Sequence, residues 1–210
     1  NILALPPVEE VRWSYLMLMK KLIFIGAGII CLIIIVVACS QKKKETTPAH
    51  TKNGKILIVE YGDYKCPYCK KIEDNVMPII KKDYIDTNRV EYQFINASFL
   101  GKDSLMGSRA GNAIQSIAPK EYLTFQKNIY AHQQEEKKHW ITETWLDKEF
   151  DQLDISQKQK DRIKKEYKTK NSDAWKEAEK QKKLTKENHI QSVPTVFING
   201  KKVEDPYKVK

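Results

Sequence analysis

The 210-residue chain has little cysteine, glycine or proline: four cysteines, eight glycines and eight prolines. Four cysteines are too few for a small secreted fold held together by disulfides, and the glycine and proline content excludes collagen-like or low-complexity material. No internal repeat, phosphate-binding loop, Ser-His-Asp set or calcium-loop pattern is present in the sequence. A chain of this length that is 41% hydrophobic predicts one domain with its own core, with room for an insertion.

Positive charge is in excess, because 37 Lys and Arg residues against 27 Asp and Glu give a net charge of +10. Such a surplus is compatible with nucleic acid, an anionic membrane or an anionic wall polymer, and it does not choose among them. Between residues 133 and 188 many residues of opposite charge are four positions apart, which indicates that the charges lie on the solvated faces of helices. A binding surface in this region is the alternative.

One long uncharged run, the 17 residues Leu22–Ala38, follows Lys20 and Lys21. A positively charged start before an apolar run is typical of a secretory signal, and this run is at the lower limit for spanning a bilayer. Because the positive charges stay on the cytoplasmic side, everything after Ser40 is expected outside the cytoplasm. That compartment argues against nucleic acid as a partner.

Small and aliphatic residues lead directly to Cys39, a pattern that resembles a bacterial lipobox. On this interpretation residues 19–39 are a lipoprotein signal peptide, and Cys39 is lipidated after cleavage. An uncleaved membrane anchor with a buried cysteine is the alternative. Residues 1–18 show no interpretable pattern, and the chain begins with Asn, so Met19 is a plausible true start.

The remainder divides into a polar segment and a folded domain. Residues 40–55 are polar and lysine-rich, and they are predicted to be a tether that holds the domain near the membrane surface. Residues 56–210 are predicted to form the domain. Its first element, the β-branched run Ile56–Val59, is typical of a buried central strand.

Two cysteines stand at the start of the helix that is predicted next. The segment Cys66-Pro67-Tyr68-Cys69 precedes apolar residues at helical spacing between 72 and 80. Pro67 suits the first position of a helix, where its missing N–H is not needed. Pro78 is expected to kink or split the helix.

The spacing i, i+3 places both thiols on one face of a helix, close enough to close a disulfide after a small adjustment. Cys66 lies where unpaired N–H groups and the helix dipole favour a negative charge, so it is the expected attacking thiolate. Cys69, one turn deeper, is the expected resolving thiol. Half of a zinc site and a structural disulfide are the alternatives to a redox pair. Against a zinc site, the other two cysteines lie in the signal segment and the histidines lack zinc-ligand spacing. Against a structural disulfide, a loop this short gains little stability when it is closed.

With these residues, the sequence resembles the DsbA family of thiol–disulfide oxidoreductases in the thioredoxin superfamily, and especially the lipoprotein members of Gram-positive bacteria. The resemblance rests on the strand Ile56–Tyr61, the segment Tyr64–Lys70 with its two cysteines, and Val193-Pro194-Thr195. It covers most of residues 55–206. It implies an α/β thioredoxin-like fold with a helical insertion, over about residues 104–190, between the two halves of the core.

The resemblance also implies site residues beyond the cysteines. Pro194 is expected in cis opposite the dithiol, where the backbone of Val193, with Thr195 following, would pair with an extended substrate. An ordinary trans proline at the start of a strand is the alternative. Glu60 matches a buried carboxylate that accepts the proton of the resolving thiol, and a solvated glutamate at a strand end is the alternative.

Two features depart from the family pattern. Tyr68 replaces a histidine between the cysteines, so the thiolate is expected to depend on the helix N-terminus and on Lys65 or Lys70. A hairpin with a type I′ turn is predicted at Asn199-Gly200. Residues 204–210 after it are too few for the usual closing helix, which is therefore expected to be missing, with one sheet face uncovered.

The sequence therefore predicts an extracytoplasmic, lipid-anchored dithiol oxidase that introduces disulfide bonds into exported proteins. Its expected partners are unfolded or reduced exported proteins, together with small thiols and disulfides or a membrane reoxidant. It is expected to act as a monomer, without a metal or another cofactor. A reductase or isomerase on the same fold, and a lipoprotein that binds a metal or a peptide without catalysis, are the alternatives.

Overall fold

A computed structural model describes Thr51 and residues 53–208. The predicted signal peptide, Cys39 and most of the predicted tether lie outside the described residues. Within the described part of the chain, no helix combines the length and the apolar character needed to cross a bilayer.

Four strands of the described chain form one mixed sheet in the order β2-β1-β3-β4. They are β1 (Ile56–Gly62), β2 (Val90–Asn96), β3 (Thr195–Ile198) and β4 (Lys201–Lys202). β1 pairs with β2 in parallel and with β3 in antiparallel orientation. This register places Glu60 between Phe94 and Val196 in the middle of the sheet.

The described chain also has seven α-helices. They are α1 (Pro67–Asn75), α2 (Met77–Ile80), α3 (Lys102–Ile117), α4 (Tyr122–Ala131), α5 (Glu143–Asp151), α6 (Gln157–Lys168) and α7 (Asp173–Glu187). A π-helical turn (Lys81–Ile85) follows α2, and a 3-10 turn (Pro119–Glu121) precedes α4. The thioredoxin-like fold with a helical insertion is confirmed, and the first helix of the insertion begins at Lys102 rather than at residue 104.

Several helix boundaries follow local signals in the sequence. Ser156 and Gln159 form a reciprocal capping box at the start of α6. The hydroxyl of Ser172 accepts a hydrogen bond from the N–H of Trp175 at 3.1 Å and caps α7. The first helix is interrupted at Val76, as expected from a proline at residue 78 that cannot donate a backbone hydrogen bond.

The side chains of β1 alternate between two cores. Leu57, Val59 and Tyr61 pack with the α7 side of the molecule, whereas Ile58 packs with residues of α1 and α2. Both faces of the strand are covered, which explains its uninterrupted apolar character. Glu60 shares the face of Ile58 and is therefore directed toward the helix that carries the cysteines.

The insertion has a core of its own, and one side chain from outside the insertion enters it. Tyr64, in the loop before α1, is 1% exposed and stacks on Phe94 with 5.1 Å between the ring centroids. It also meets Phe125 edge-on. The rest of this core includes Ala113, Ile114, Ile129, Tyr130, Leu146, Phe150, Ile163 and Tyr167. Aromatic residues of both α4 and α5 thus belong to this core.

The predicted hairpin is present, and both turn residues have positive φ, 47° at Asn199 and 76° at Gly200, as a type I′ turn requires. Beyond β4, residues 203–208 form bends and turns. On the α1 side of the sheet a cavity of about 240 Å³ reaches Glu60. Its other lining residues are mainly apolar and include Ile56, Ile58, Met77, Tyr84 and Val203.

Candidate dithiol active site

The two cysteines lie at the N-terminus of α1. Cys66 is the N-cap residue, Pro67 occupies the first helical position, and Cys69 lies within the first turn. Both cysteines are buried, Cys66 at 4% and Cys69 at 0% exposure. Because an N-cap residue stands before the unpaired N–H groups of the first turn, a negative charge on Cys66 is favoured there.

The two thiols have opposite acidities. The thiol of Cys69 donates a hydrogen bond that, together with the N–H groups of Cys69 and Tyr68, outweighs burial and lowers the pKa of Cys66 from 9.0 to about 7. Burial raises the pKa of Cys69 well above 9.0, and its hydrogen bond to Cys66 raises it further. Near neutral pH the arrangement therefore favours a thiolate at Cys66 and a thiol at Cys69.

Both lysines that the sequence offers for stabilising the thiolate are paired with carboxylates in the structure, and neither is among the main causes of the lowered pKa of Cys66. The ammonium group of Lys65 is buried and lies 2.9 Å from Oδ1 of Asp103. Lys70 pairs with Asp74 on the surface at 3.2 Å. Each lysine is neutralised by a carboxylate, so the stabilisation of Cys66 comes from the helix N-terminus and from Cys69.

The loop before β3 lies against the nucleophile. The Val193–Pro194 peptide bond is cis, the geometry that the family resemblance implies. The Cys66 Sγ lies 3.5 Å from the carbonyl oxygen of Val193, within the range of an S–H···O hydrogen bond. Thr195 is buried, and its hydroxyl donates to the carbonyl of Ser192 at 2.8 Å.

Glu60 lies in the middle of β1 and is 2% exposed, which differs from a solvated residue at a strand end. Its Oε2 accepts a hydrogen bond from the hydroxyl of Tyr92 at 2.8 Å. Burial raises the pKa of Glu60 from 4.5 to about 8, with the charges of Glu73 and Cys66 adding to the effect and the Tyr92 bond opposing it. A carboxyl group with this pKa can exchange protons near neutrality.

Sequence reasoning missed a buried chain of hydrogen bonds that continues from Glu60. The side-chain amide of Gln126, on α4, donates to the Tyr92 hydroxyl at 3.1 Å and to Oε2 of Glu73 at 2.8 Å. Glu73 lies on α1 one turn after Cys69, and burial raises its pKa as well. A glutamate on the inward face of the cysteine-bearing helix could have been found from helical spacing, whereas Tyr92 and Gln126 carry no such signal.

Sequence reasoning also missed Asp63, a fully buried carboxylate in the loop before the dithiol. Its Oδ1 accepts from the N–H of Lys65 at 3.0 Å and from the hydroxyl of Ser104 at 2.7 Å. Its Oδ2 accepts from the N–H groups of Phe99 at 2.8 Å and Leu100 at 3.1 Å. Asp63 therefore joins the segment that carries the cysteines to the start of the helical insertion.

Comparison with known proteins agrees with this geometry. The family model described as thioredoxin matches residues 50–210. The chain belongs to the thioredoxin family. Within that family, the crystal structure of oxidised BdbD from Bacillus subtilis is similar over 75% of this chain and 83% of that chain, with 27% identity and a TM-score of 0.63.

Two curated relatives in the family carry the name disulfide bond formation protein D. The Bacillus cereus protein, named as probable, is 36% identical over 149 residues, which are 69% of this chain and 66% of the relative. The Bacillus subtilis protein is 31% identical over 150 residues, 71% of this chain and 66% of the relative. The chain thus spans less than two thirds of the length of these relatives.

A more distant structure shows the fold alone. Reduced DsbA1 from Neisseria meningitidis is 20% identical, covers 77% of this chain and 80% of its own, and has a TM-score of 0.59. The resemblance to DsbA-type proteins that the Cys-Pro-Tyr-Cys segment indicates is confirmed. The roles of the individual site residues remain predictions.

Proposed function

We propose that this chain is an extracytoplasmic protein thiol–disulfide oxidoreductase that acts as a dithiol oxidase on exported proteins. The observation that carries the proposal is the placement of the two thiols at the start of α1, with Cys66 as the N-cap residue against the Val193 carbonyl and Cys69 fully buried in the first turn. A thiolate that is stabilised in the folded dithiol makes the reduced form more stable, and the disulfide form is then a better oxidant. The names of the Bacillus relatives support the same activity.

In the proposed reaction, a substrate thiolate attacks the Sγ of Cys66 in the disulfide form. The bond between Cys66 and Cys69 breaks, and Cys69 leaves with the electron pair and takes a proton from the Glu60 carboxyl group. A second substrate thiolate then attacks the substrate sulfur of the mixed disulfide, and Cys66 leaves as a thiolate. The substrate loses two electrons and gains a disulfide, while the Cys66–Cys69 pair gains those two electrons.

The other site residues hold the substrate in place. The backbone of Val193 binds an extended substrate segment by strand addition, and Pro194 and Thr195 shape the loop that presents it. Pro67 and Tyr68 form the exposed surface between the two cysteines, and the Tyr68 side chain is 56% exposed. A substrate that reaches Cys66 therefore contacts both the Tyr68 side chain and the loop at residue 193.

The substrates in this proposal are unfolded or reduced exported proteins. The dithiol is returned to the disulfide by small-molecule disulfides or by a membrane reoxidant, and the chain works as a monomer. Sedimentation of the purified protein tests the last point, and a stable dimer would contradict it.

The proposed location is the outer face of the cell membrane, with a lipid on Cys39 and residues 40–55 as the tether. Lys20, Lys21 and the apolar run up to Ala38 support it. Labelling cells with radioactive palmitate is expected to mark the wild-type protein and to leave a Cys39→Ser variant unmarked. Equal labelling of both proteins would contradict the lipid anchor.

The first test of the activity is the redox equilibrium of the full chain in graded glutathione buffers, read by alkylation and mass analysis of Cys66 and Cys69. A pair that is reduced in mildly reducing buffer supports the oxidase. A pair that stays oxidised until conditions are strongly reducing supports a reductase or a structural disulfide instead.

Two variants test the mechanism. Cys69→Ser is expected to accumulate mixed disulfides between Cys66 and substrate proteins, because the resolving thiol is missing. Cys66→Ser is expected to have no oxidase activity, and an active Cys66→Ser protein would exclude the mechanism.

One equivalent of tightly bound zinc together with unreactive thiols would instead favour a non-catalytic binding protein. Among the described residues, no group of three or more His, Cys, Asp and Glu side chains is placed to hold a metal ion.

A further inference from the structure

Gln133, just beyond α4, touches the backbone that carries the proposed nucleophile. Its Nε2 donates to the carbonyl oxygen of Tyr64 at 2.8 Å and to that of Cys66 at 3.1 Å. A side-chain amide has two N–H donors, and here each has one carbonyl acceptor. Building on the proposed function, we infer that Gln133 is a positioning residue that holds Cys66 in its reactive conformation.

The two hydrogen bonds restrain the backbone on both sides of Lys65. The direction of a carbonyl group is set by the ψ angle of its own residue, so Gln133 restrains ψ at Tyr64 and at Cys66. The Cys66 carbonyl also accepts a backbone hydrogen bond from Lys70 at 3.1 Å. With its carbonyl held by two donors, Cys66 keeps the extended N-cap conformation, φ −76° and ψ 118°, in which Sγ faces the N–H groups of Tyr68 and Cys69.

Gln133 is itself held in place by the insertion. Its N–H donates to the carbonyl of Tyr130 at 3.2 Å, and the Tyr130 hydroxyl donates to the carbonyl of Asp63 at 3.3 Å. The loop that begins at Gln133 returns at Trp140, whose N–H donates to Oδ2 of Asp103 at 3.2 Å. Both ends of this loop are therefore joined to the segment before Cys66, at one end directly and at the other through Asp103 and its ion pair with Lys65.

Both N–H groups of the Gln133 amide are used by backbone carbonyls, so Gln133 acts on Cys66 through the backbone and not through a hydrogen bond to the sulfur. The titratable groups around this thiol are Cys69 on α1, Glu60 on β1, Asp63 in the preceding loop and Tyr207 beyond β4. Gln133 carries no charge, so its replacement by a neutral residue leaves the charges of these groups in place.

The test compares Gln133→Met with Gln134→Met in the reduced full chain. Methionine keeps the length of the side chain but has no donor. Gln134 is exposed and contacts the His132 ring at 3.5 Å, so it is a matched control. The readout is the pH dependence of Cys66 alkylation, with thermal unfolding measured alongside. Gln133→Met is expected to raise the pKa of Cys66 from about 7 and to slow its alkylation at pH 7 by about twofold to sevenfold, the effect of losing a hydrogen bond.

Gln134→Met is expected to alkylate like the wild type. A Gln133→Met protein whose Cys66 titrates as in the wild type would overturn the inference, as would an equal shift in Gln134→Met. If Gln133→Met does not fold, Gln133→Asn takes its place. Its amide is one methylene too short to reach both carbonyls, so an unchanged pKa there also overturns the inference.

These outcomes are separate from those that test the proposed function. The pKa of Cys66 is measured on the dithiol itself and needs neither substrate nor reoxidant. A wild-type Cys66 with an ordinary pKa would contradict the proposed oxidase. A lowered pKa that does not respond to Gln133 would contradict only the positioning role.

Discussion

Cys66 and Cys69 have the same side chain and differ in acidity because of the atoms around them. The largest contribution to the lowered pKa of Cys66 is the hydrogen bond that the Cys69 thiol donates to it. The same contact raises the pKa of Cys69, since its proton is held by the Cys66 sulfur. Each cysteine therefore sets the protonation state of the other.

The hydrogen bond between the two thiols predicts that Cys69→Ala raises the pKa of Cys66 from about 7 toward 9.0, because the Cys69 thiol is the main donor to the Cys66 sulfur. Cys69→Ser is the matched control, since its hydroxyl keeps a donor at the same place and is expected to produce a smaller shift. The pH dependence of alkylation of Cys66 measures both. Equal shifts in the two variants would show that the hydrogen bond is not the cause.

The raised pKa of Glu60 predicts that the stability of the folded protein depends on pH. The folded protein holds the Glu60 proton up to about pH 8, whereas the unfolded chain loses it near 4.5. Between these values the folded state binds more protons, so the free energy of unfolding falls as pH rises. Over this pH interval the free energy of unfolding of the wild type is expected to fall by on the order of 4 kcal/mol more than that of the Glu60→Gln variant.

Chemical denaturation of the oxidised proteins at a series of pH values checks this expectation without interference from the thiols. Burial also raises the pKa values of Glu73 and Asp63, but both proteins contain these residues, so the difference between them isolates Glu60. Glu136→Gln in an exposed loop is the control and is expected to keep the wild-type slope. Parallel stability curves for wild type and Glu60→Gln would contradict the prediction.

At the scale of elements, the segment before α1 is joined to α3 through a buried ion pair. Lys65 is 1% exposed and Asp103 is 5% exposed. Asp103 also accepts from the N–H of Trp140, so one carboxylate connects three parts of the chain. Removing one partner of a buried pair leaves the other charge without compensation.

Lys65→Met is therefore expected to lower the free energy of unfolding by about 3–5 kcal/mol, measured by denaturant unfolding. The double variant Lys65→Met/Asp103→Leu is expected to recover part of this loss, because no buried charge remains. Lys70→Met is the matched control: it breaks the exposed pair with Asp74 and is expected to cost less than about 1 kcal/mol. A Lys65→Met protein as stable as Lys70→Met would contradict this account.

For the whole molecule, the stabilised thiolate links redox state to folding. Between about pH 7 and 9 the folded dithiol has lost the Cys66 proton that the unfolded dithiol retains. The stability of the reduced protein therefore rises with pH in this range, while the disulfide form has no such thiol. Glu60 titrates in both forms, so its contribution largely cancels from the comparison.

The reduced protein is thus expected to have the higher Tm, by a margin that widens from about pH 7 to about 9. Calorimetry of the two redox forms at several pH values measures the margin. A disulfide form that is more stable than the dithiol at all pH values would argue against the oxidase and for a structural disulfide or a reductase.

The elements of this fold could be predicted because their signals are local. The apolar run at 56–59 predicts a buried strand, Ser156 and Ser172 cap helices, and Asn199-Gly200 predicts a turn; the structure has all of them. The positions of the two cysteines at a helix start follow from the spacing of Cys66, Pro67 and Cys69 in the same way. Periodicity and capping depend on neighbours within a few residues.

The partners within the site could not be predicted because they are distant in the chain. The sequence shows Lys65 next to Cys66, but only packing decides that its charge goes to Asp103. Glu60 meets Tyr92, and Gln133 meets the carbonyl of Cys66, across more than thirty residues in each case. The sequence alone thus determined which residues could do thiol chemistry and where the helix that holds them begins. The tertiary structure decided which groups surround the thiols, and those groups set their acidity because burial and hydrogen bonds act only over a few ångströms.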